Sequence, residues 1–538
     1  MIPETVGSHE DIPHTILYEV DHWQTIAVLP PGTEYSIRCD CKMKVLAGEI
    51  FMNGFVMSSE AGYNNACSMD THSRLTMFVQ GTNSTTLWDD IVESKDIDQV
   101  IAAPAIKTIM KKPHGAVLSI RRRSMFIQSL YSNVLGPSAD ESIVDSVEYF
   151  QLFSSMSKAV VITEEWAVVA DQVNEFPKVS VCGPQNSGKS SFCRYLVNTF
   201  LSKHKKVLFL ETDIGQSELT PMGILSLSLI QTPLLGPPYS HATPVFTSQL
   251  TGNETNSITS LAYCLGVNAP ANIIDSYTAK LKLLIKQAKS LKLPLIINNM
   301  GWTKGLGVLL HADILRLTAP DHVISLKTGR ADLPPIQDLL LMDGMTTQVD
   351  EADLRNPTVH DLTGHTNPNP ENRIFPAYEL RHMSVLSYFA PIYKDNKLAP
   401  PFKVNWKYFS LIVPEDVRQD LAAFCINASV VGLLGGDPTQ TETGVLNIIE
   451  DDHRPCLGLG IIRAVDVNEH YLYINTPLTE AELEKVVVIK HTNIPVPHLP
   501  NTKCLPTPYL SNLAAHEIMG AGSRTQRNNL KRKYVAQD

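Results

Sequence analysis

The sequence predicts an α/β core set between two β-rich flanks. From about Pro177, short apolar runs alternate with stretches long enough for helices, a pattern that implies a parallel sheet covered on both faces. Before that point, and again after Tyr388, the apolar runs are short and separated by turn residues, as in all-β structure. At 538 residues the chain is also too long for a single hydrophobic core.

The first flank is assigned to residues 1–165. Ile26-Ala-Val-Leu, the turn Pro30-Pro31-Gly32 and Tyr35-Ser-Ile-Arg lead into Val45–Met57, where alternation is broken by two glycines. Strand–turn–strand pairs look like this. Leu75-Thr-Met-Phe-Val and Ala116-Val-Leu-Ser-Ile add further strands, so a small sandwich or barrel is expected.

The core is assigned to 166–390, with a lid near 370–390. Its strand candidates are Lys178-Val-Ser-Val-Cys, Lys206-Val-Leu-Phe-Leu, Leu293–Asn299 and His322-Val-Ile-Ser-Leu; helices are expected over Ser190–Ser202 and Ile274–Leu291. Residues Thr346–Arg373, rich in Asn, Pro, Thr and Asp, read as a long loop. The second β-rich flank, 391–520, has strand candidates at Trp406–Val413, Ala428–Leu434, Leu457–Arg463 and Tyr471–Ile474. A basic tail, 521–538, holds Arg524, Arg527, Lys531, Arg532 and Lys533, which reads as a nuclear address, an RNA contact or a solvated surface.

Composition excludes several classes. The chain is 43% apolar and 19% charged, ordinary for a folded protein. It has no apolar run of the roughly 18 residues that a membrane span needs. The start, Met1-Ile-Pro-Glu-Thr-Val, lacks the basic-then-apolar pattern of a secretory leader. Nine scattered cysteines show neither a disulfide framework nor zinc spacing, and the 17 histidines contain no H-x-x-x-H. A reduced compartment is expected. A net charge of −10 argues against indiscriminate coating of nucleic acid but leaves room for a local basic groove. The run Arg121-Arg122-Arg123 is either such a contact or solvated surface.

Gly183-Pro184-Gln185-Asn186-Ser187-Gly188-Lys189-Ser190 fits G-x-x-x-x-G-K-[ST], with a strand candidate before it and a helix, opening at Ser191, after it. That context makes it a phosphate-binding P-loop and the core a P-loop NTPase domain. The glycines let the backbone wrap phosphates, and the helix N-terminus adds partial positive charge. Lys189 is expected on the β/γ-phosphates and Ser190 on Mg²⁺, with Gly183 to Ser191 as the nucleotide contact.

The next strand ends in Glu211-Thr-Asp213-Ile-Gly-Gln216, about 22 residues after Lys189. Glu211 and Asp213 are two apart and on an ideal strand face one side. One can enter the Mg²⁺ shell while the other accepts a proton; a capping role is the alternative. The N-K-x-D element of guanine readers is missing, so ATP is the expected nucleotide.

Together, Gly183–Ser190, Glu211-Thr-Asp-Ile-Gly-Gln216 and Asn299-Met-Gly-Trp302-Thr-Lys-Gly-Leu-Gly307 resemble the eukaryotic polynucleotide 5′-hydroxyl-kinases. Glu211–Gly223, Met300–Gly307, Asn427–Gly432 and Cys456–Arg463 resemble most the nucleolar, pre-ribosomal RNA branch. The resemblance implies ATP and Mg²⁺ as cofactors and an RNA 5′-hydroxyl end as acceptor. It further implies an endoribonuclease partner acting in the second internal transcribed spacer of pre-rRNA, and a nuclear, nucleolar location. By the same analogy Asp213 acts as base, Trp302 stacks on the terminal base with Gln216 as a further RNA contact, and Arg381 closes a lid over the phosphates. A clasp at Ser248 and Gln249 completes the set, although Phe246–Gly252 departs from the Thr-Thr-Pro-Gly type. The alternatives are a kinase of mRNA or tRNA processing and an ATP-binding scaffold without turnover.

Overall fold

The computed structural model describes residues 15–497 except 69–72, 81–114, 124–142, 148, 155, 157, 174–176, 243, 348–355, 365–375, 395–396, 416, 438–446 and 452. The basic tail, most of the expected loop 346–373 and the first part of the expected lid lie outside the described residues.

The described chain divides into two compact units. The first comprises the described residues up to Thr163 together with Pro233–Pro237. Its nine strands form one hydrogen-bonded sheet around Glu34–Met52, a strand of 19 residues. All of its pairings are antiparallel. Gly48 sits beside a bulge with φ +75°, and a Cβ there would lie 2.0 Å from the Gly115 carbonyl oxygen. Only glycine fits that approach. The triple arginine is not simply solvated: the Arg121 guanidinium lies 4.5 Å from the Tyr63 ring centroid, and that of Arg122 lies 5.9 Å from the Trp23 ring.

Among the described residues the second unit contains two large sheets and a two-stranded one, Tyr393–Lys394 with Lys397–Leu398. The larger has eight strands: β1 (Lys178–Cys182), β2 (Val207–Glu211), β3 (Ile224–Ile230), β4 (Val245–Thr247), β5 (Ile258–Cys264), β6 (Leu295–Asn298), β7 (His322–Lys327) and β8 (Thr358–Thr363). Their order across the sheet is β4-β5-β3-β2-β6-β1-β7-β8. The run β2-β6-β1-β7-β8 is parallel, as expected from strand–helix alternation. β3 departs from that expectation, being antiparallel to both neighbours, and the sheet is mixed. The cause is local. No helix follows β2; the segment 212–223 turns straight back, and a direct return pairs antiparallel.

The helices α1 (Glu164–Gln172), α2 (Lys189–Leu201), α3 (Ile274–Leu291), α4 (Leu306–Thr318), α5 (Ile336–Leu341) and α6 (Ala377–Phe389) accompany this sheet. β1, β2 and β6 are almost wholly buried apolar runs, the composition of strands covered on both faces.

The second sheet of this unit has seven strands between Phe402 and His491. It shares a core with the first: Met222, Ile224, Ala262 and Phe389 pack with Val430, Leu459, Ile461 and Val488. Asp451 fastens the two further, accepting from Lys280 on α3 at 2.8 Å and from Lys490 at 2.9 Å. Among the described residues, no helix is long and apolar enough to cross a membrane.

Candidate active site

The ends of β1, β2 and β6 are neighbours, so the segments that follow them meet at one edge of the sheet. Ligands of open α/β sheets bind at the carboxyl ends of strands in this way.

After β1 the chain forms the P-loop. Gly183 has φ +150° and Gly188 φ +92°, and between them Asn186 also takes a positive φ of 62°. A Cβ on Gly183 would meet the Leu326 carbonyl oxygen at 2.8 Å and Ser187 Oγ at 2.9 Å. The cradle is therefore closed to side chains at its base. Ser187 Oγ itself is buried and has no hydrogen-bond partner among the described residues. α2 starts at Lys189, with Ser190 and Ser191 half-buried in its first turn. Lys189 is only 8% exposed, and its Nζ donates to the Pro184 carbonyl oxygen at 2.8 Å. Burial lowers its pKa, and the carboxylates of Asp213 and Glu211 oppose that shift.

β2 ends at Glu211, so Asp213 lies beyond the strand and the two acids do not share a strand face. Their environments differ. Glu211 is 0% exposed. Its Oε1 accepts from Asp213 N at 3.0 Å and its Oε2 from Glu218 N at 2.9 Å, and Asn298 Nδ2 lies 3.1 and 3.2 Å from the two oxygens. Burial, reinforced by Asp213, raises its pKa well above the ordinary value. Glu211, expected beside Mg²⁺, has protein donors on both oxygens, and these tie the loop to β6.

Asp213 is half-buried. Its Oδ1 accepts from Gly215 N at 2.9 Å and Gln216 N at 3.1 Å, while Oδ2 has no protein hydrogen bond among the described residues. Gln216 is also half-buried. The Asp213 carboxylate acts electrostatically on both Lys189 and Arg381, and Arg381 lies half-buried on α6.

After β6, Asn299 Nδ2 donates to Ser180 Oγ at 2.8 Å and to the Val181 carbonyl oxygen at 2.9 Å, tying this loop to β1. A Cβ on Gly301 would lie 2.9 Å from Gln185 Cα, so loop and P-loop are in backbone contact. Trp302 is 37% exposed, which separates it from the buried core.

Residues 183–390 match the family model described as the P-loop of the mRNA cleavage and polyadenylation factor CLP1, and residues 398–497 match that of the NOL9-like C-terminal domain. The chain is 27% identical over 553 residues to "Polynucleotide 5′-hydroxyl-kinase NOL9" of Bos taurus, covering 88% of this chain and 76% of the bovine protein. The human protein of that name is 30% identical over 373 residues, 62% of this chain and 51% of its own length. That of Arabidopsis thaliana is 28% identical over 376 residues, 66% of this chain and 97% of its own length. The chain is thus similar to polynucleotide 5′-hydroxyl-kinases along most of its length.

The clasp expected from this similarity is placed unexpectedly. Ser248 and Gln249 are exposed and follow β4, five strand positions from β1. At about 4.8 Å per strand that is roughly 24 Å along the sheet. The order of strands does not bring them beside the phosphates. The loop after β5 comes closer: a Cβ on Gly215 would lie 2.7 Å from the Asn268 carbonyl oxygen.

Sequence reading also missed a buried ionic cluster behind the P-loop. Arg194 on α2 places Nη1 3.0 Å from both Glu218 oxygens, and His241 Nε2 lies 2.8 Å from Oε1. Burial pushes the Glu218 carboxyl up, but Arg194 and His241 outweigh it and hold the group below its ordinary value. Arg194 Nη2 also donates to Ser191 Oγ at 3.3 Å, which links the cluster to the P-loop helix. The only signal in the sequence was an Arg one turn into that helix.

Proposed function

We propose that this chain transfers the γ-phosphoryl group of ATP to the 5′-hydroxyl end of an RNA. The observation that carries the reading is the meeting, at the ends of β1, β2 and β6, of a P-loop lysine, a carboxylate with one uncommitted oxygen and a half-exposed tryptophan.

The residues present suit ATP and Mg²⁺. The positive-φ cradle and the unpartnered Ser187 hydroxyl fit a phosphate chain. Ser190 offers a hard oxygen ligand for Mg²⁺, which takes few from protein when phosphates supply the rest. When bound, ATP supplies the phosphoryl group and Mg²⁺ compensates its charge.

The chain's own groups do the positioning. Lys189 gives up its bond to the Pro184 carbonyl and holds phosphate oxygens instead. Asp213, anchored through Oδ1, orients the acceptor hydroxyl and takes its proton at Oδ2. Arg381 adds positive charge from α6. Trp302 stacks the terminal base, an interaction of about 1–3 kcal/mol. Little covalent work is left, since phosphoryl transfer is mostly positioning and charge stabilisation.

The relatives' names support a polynucleotide 5′-hydroxyl acceptor; the finer reading, a role in pre-rRNA processing in the nucleolus beside an endoribonuclease that leaves 5′-hydroxyl ends, rests on the resemblance of the sequence motifs. Incubation with γ-labelled ATP and an oligoribonucleotide bearing a 5′-hydroxyl tests the chemistry. Label should enter that RNA and not its 5′-phosphorylated counterpart. Tight ATP binding without any label transfer would leave a nucleotide-binding scaffold.

A further inference from the structure

His311 is an ionisable group beside the site with no part in this mechanism. It lies on α4, the helix that follows the acceptor loop, and is 0% exposed. Neither ring nitrogen has a hydrogen-bond partner among the described residues. Its surroundings are nonetheless polar. The backbone carbonyls of Met300 and Trp302 lie beside the ring without completing a hydrogen bond, and the Lys189 ammonium acts on it from the P-loop side.

The helix geometry explains this position. Gly307 and His311 are four residues apart and so share a helix face. Gly307 is pressed against the tryptophan, since a Cβ there would come within 2.4 Å of Trp302 Cβ. His311 therefore sits one turn further along the face that supports the acceptor loop.

We propose that His311 is a positioning residue for the acceptor loop, its ring donating an N–H to the Met300 or Trp302 carbonyl when a terminal base stacks on Trp302. The inference rests on the reading of Trp302 as the acceptor platform.

A buried donor left without an acceptor is costly, and completing the bond recovers that cost. On this proposal a base stacked on Trp302 carries the loop toward α4, where the Met300 and Trp302 backbone already acts on the ring. The bond then forms only in the RNA-loaded arrangement, so it tightens acceptor binding and leaves ATP binding alone. Burial, helped by Lys189, pushes the His311 pKa down to about 4, so the ring stays neutral and keeps one N–H and one acceptor nitrogen.

The test compares steady-state kinetics with a 5′-hydroxyl oligoribonucleotide and ATP affinity, each on full-length protein. His311→Phe keeps the ring and removes both nitrogens; KM for the RNA should rise about tenfold, the worth of one such bond, with ATP affinity held within about twofold. His311→Asn and His311→Gln place an amide N–H where one or the other ring nitrogen stood, and one of them should recover most of the native KM. The wild-type KM should stay flat between about pH 5.5 and 8, because the ring does not titrate there. Native KM in His311→Phe would overturn the proposal, as would equal losses of RNA and ATP affinity. If His311→Phe does not fold, the proposal stands or falls on Asn and Gln differing in KM. Trp302→Ala, measured alongside, separates the two readings. An unchanged KM there removes the acceptor platform itself, whereas a raised KM with native His311→Phe removes only the role of His311.

Discussion

Gly301 lies against Gln185 so closely that a Cβ would stand 2.9 Å from Gln185 Cα and 3.0 Å from its nitrogen. The neighbouring atoms are backbone, which cannot swing aside. This contact joins the acceptor loop to the phosphate cradle. Under the proposed function it sets the distance between the two substrates' sites before either arrives.

Gly301→Ala should therefore force the two loops apart while the protein stays folded. Misplacement on this scale is expected to lower kcat/KM by about 10–100-fold. Steady-state kinetics with circular dichroism on the same preparation decides it. A folded variant with native rates would mean that the loops adjust freely.

Lys189→Met tests the P-loop. The lysine is buried and bonded to the Pro184 carbonyl, so methionine keeps the volume better than alanine. Phosphate transfer should be lost, and the melting temperature should fall only modestly, through the stranded carbonyl. Residual transfer near the wild-type rate would place phosphate binding elsewhere.

Glu211 and Asp213 should separate cleanly in their Mg²⁺ dependence. In Glu211→Gln an NH₂ group faces backbone and Asn298 donors, a clash of about 1–3 kcal/mol in a buried site. Melting temperature and kcat should then drop together, with the midpoint of the Mg²⁺ titration unchanged. A shifted midpoint at native stability would return Glu211 to the metal shell.

What could be read in advance follows from how local each feature is. The P-loop, α2 and the strands β1, β2, β6 and β7 are set by contiguous residues, and their patterns survive intact in the sequence. β3 was hidden because its direction depends on the length and turn of segment 212–223, not on its own residues. Glu211 looked like a metal ligand because spacing alone places it beside Asp213. Its partners, Asn298 and the Glu218 amide, are distant or backbone groups that no motif displays. His311 and the cluster of Arg194, Glu218 and His241 were invisible for the same reason. Trp302 stood out only through its resemblance to a family motif, since an aromatic after a strand is as often core.

Acid should unfold the protein partly through Glu218. A carboxyl whose folded pKa lies below its unfolded value stabilises the fold above the unfolded value, near 4.3, and that contribution is lost as pH falls through the folded one. The wild-type melting temperature should therefore fall steeply between about pH 5 and 3. Glu218→Gln should be less stable at pH 7, since removing one partner of a buried pair costs roughly 3–5 kcal/mol, but flatter across the acid range. Parallel curves for the two proteins would mean that Glu218 is not held ionised by Arg194.

Asp213→Asn is the most direct test of chemistry. A 5′-hydroxyl is a poor nucleophile at neutral pH, and its proton must leave as the bond to phosphorus forms. Asp213 is suited to take it: Oδ1 is tied by the Gly215 and Gln216 amides, and Oδ2 is uncommitted beside the P-loop lysine and Arg381. In asparagine the amide oxygen can keep both backbone bonds, so the loop retains its shape while the charge and the proton acceptor go. ATP affinity should stay within a few-fold, and turnover should fall by about 10²–10⁴, the range of a lost general base. Binding and turnover need to be measured on one preparation. Loss of ATP binding with near-native turnover per bound ATP would make Asp213 a metal ligand only. The base would then have to come from outside the three loops, because Glu211 has no free oxygen to accept the proton.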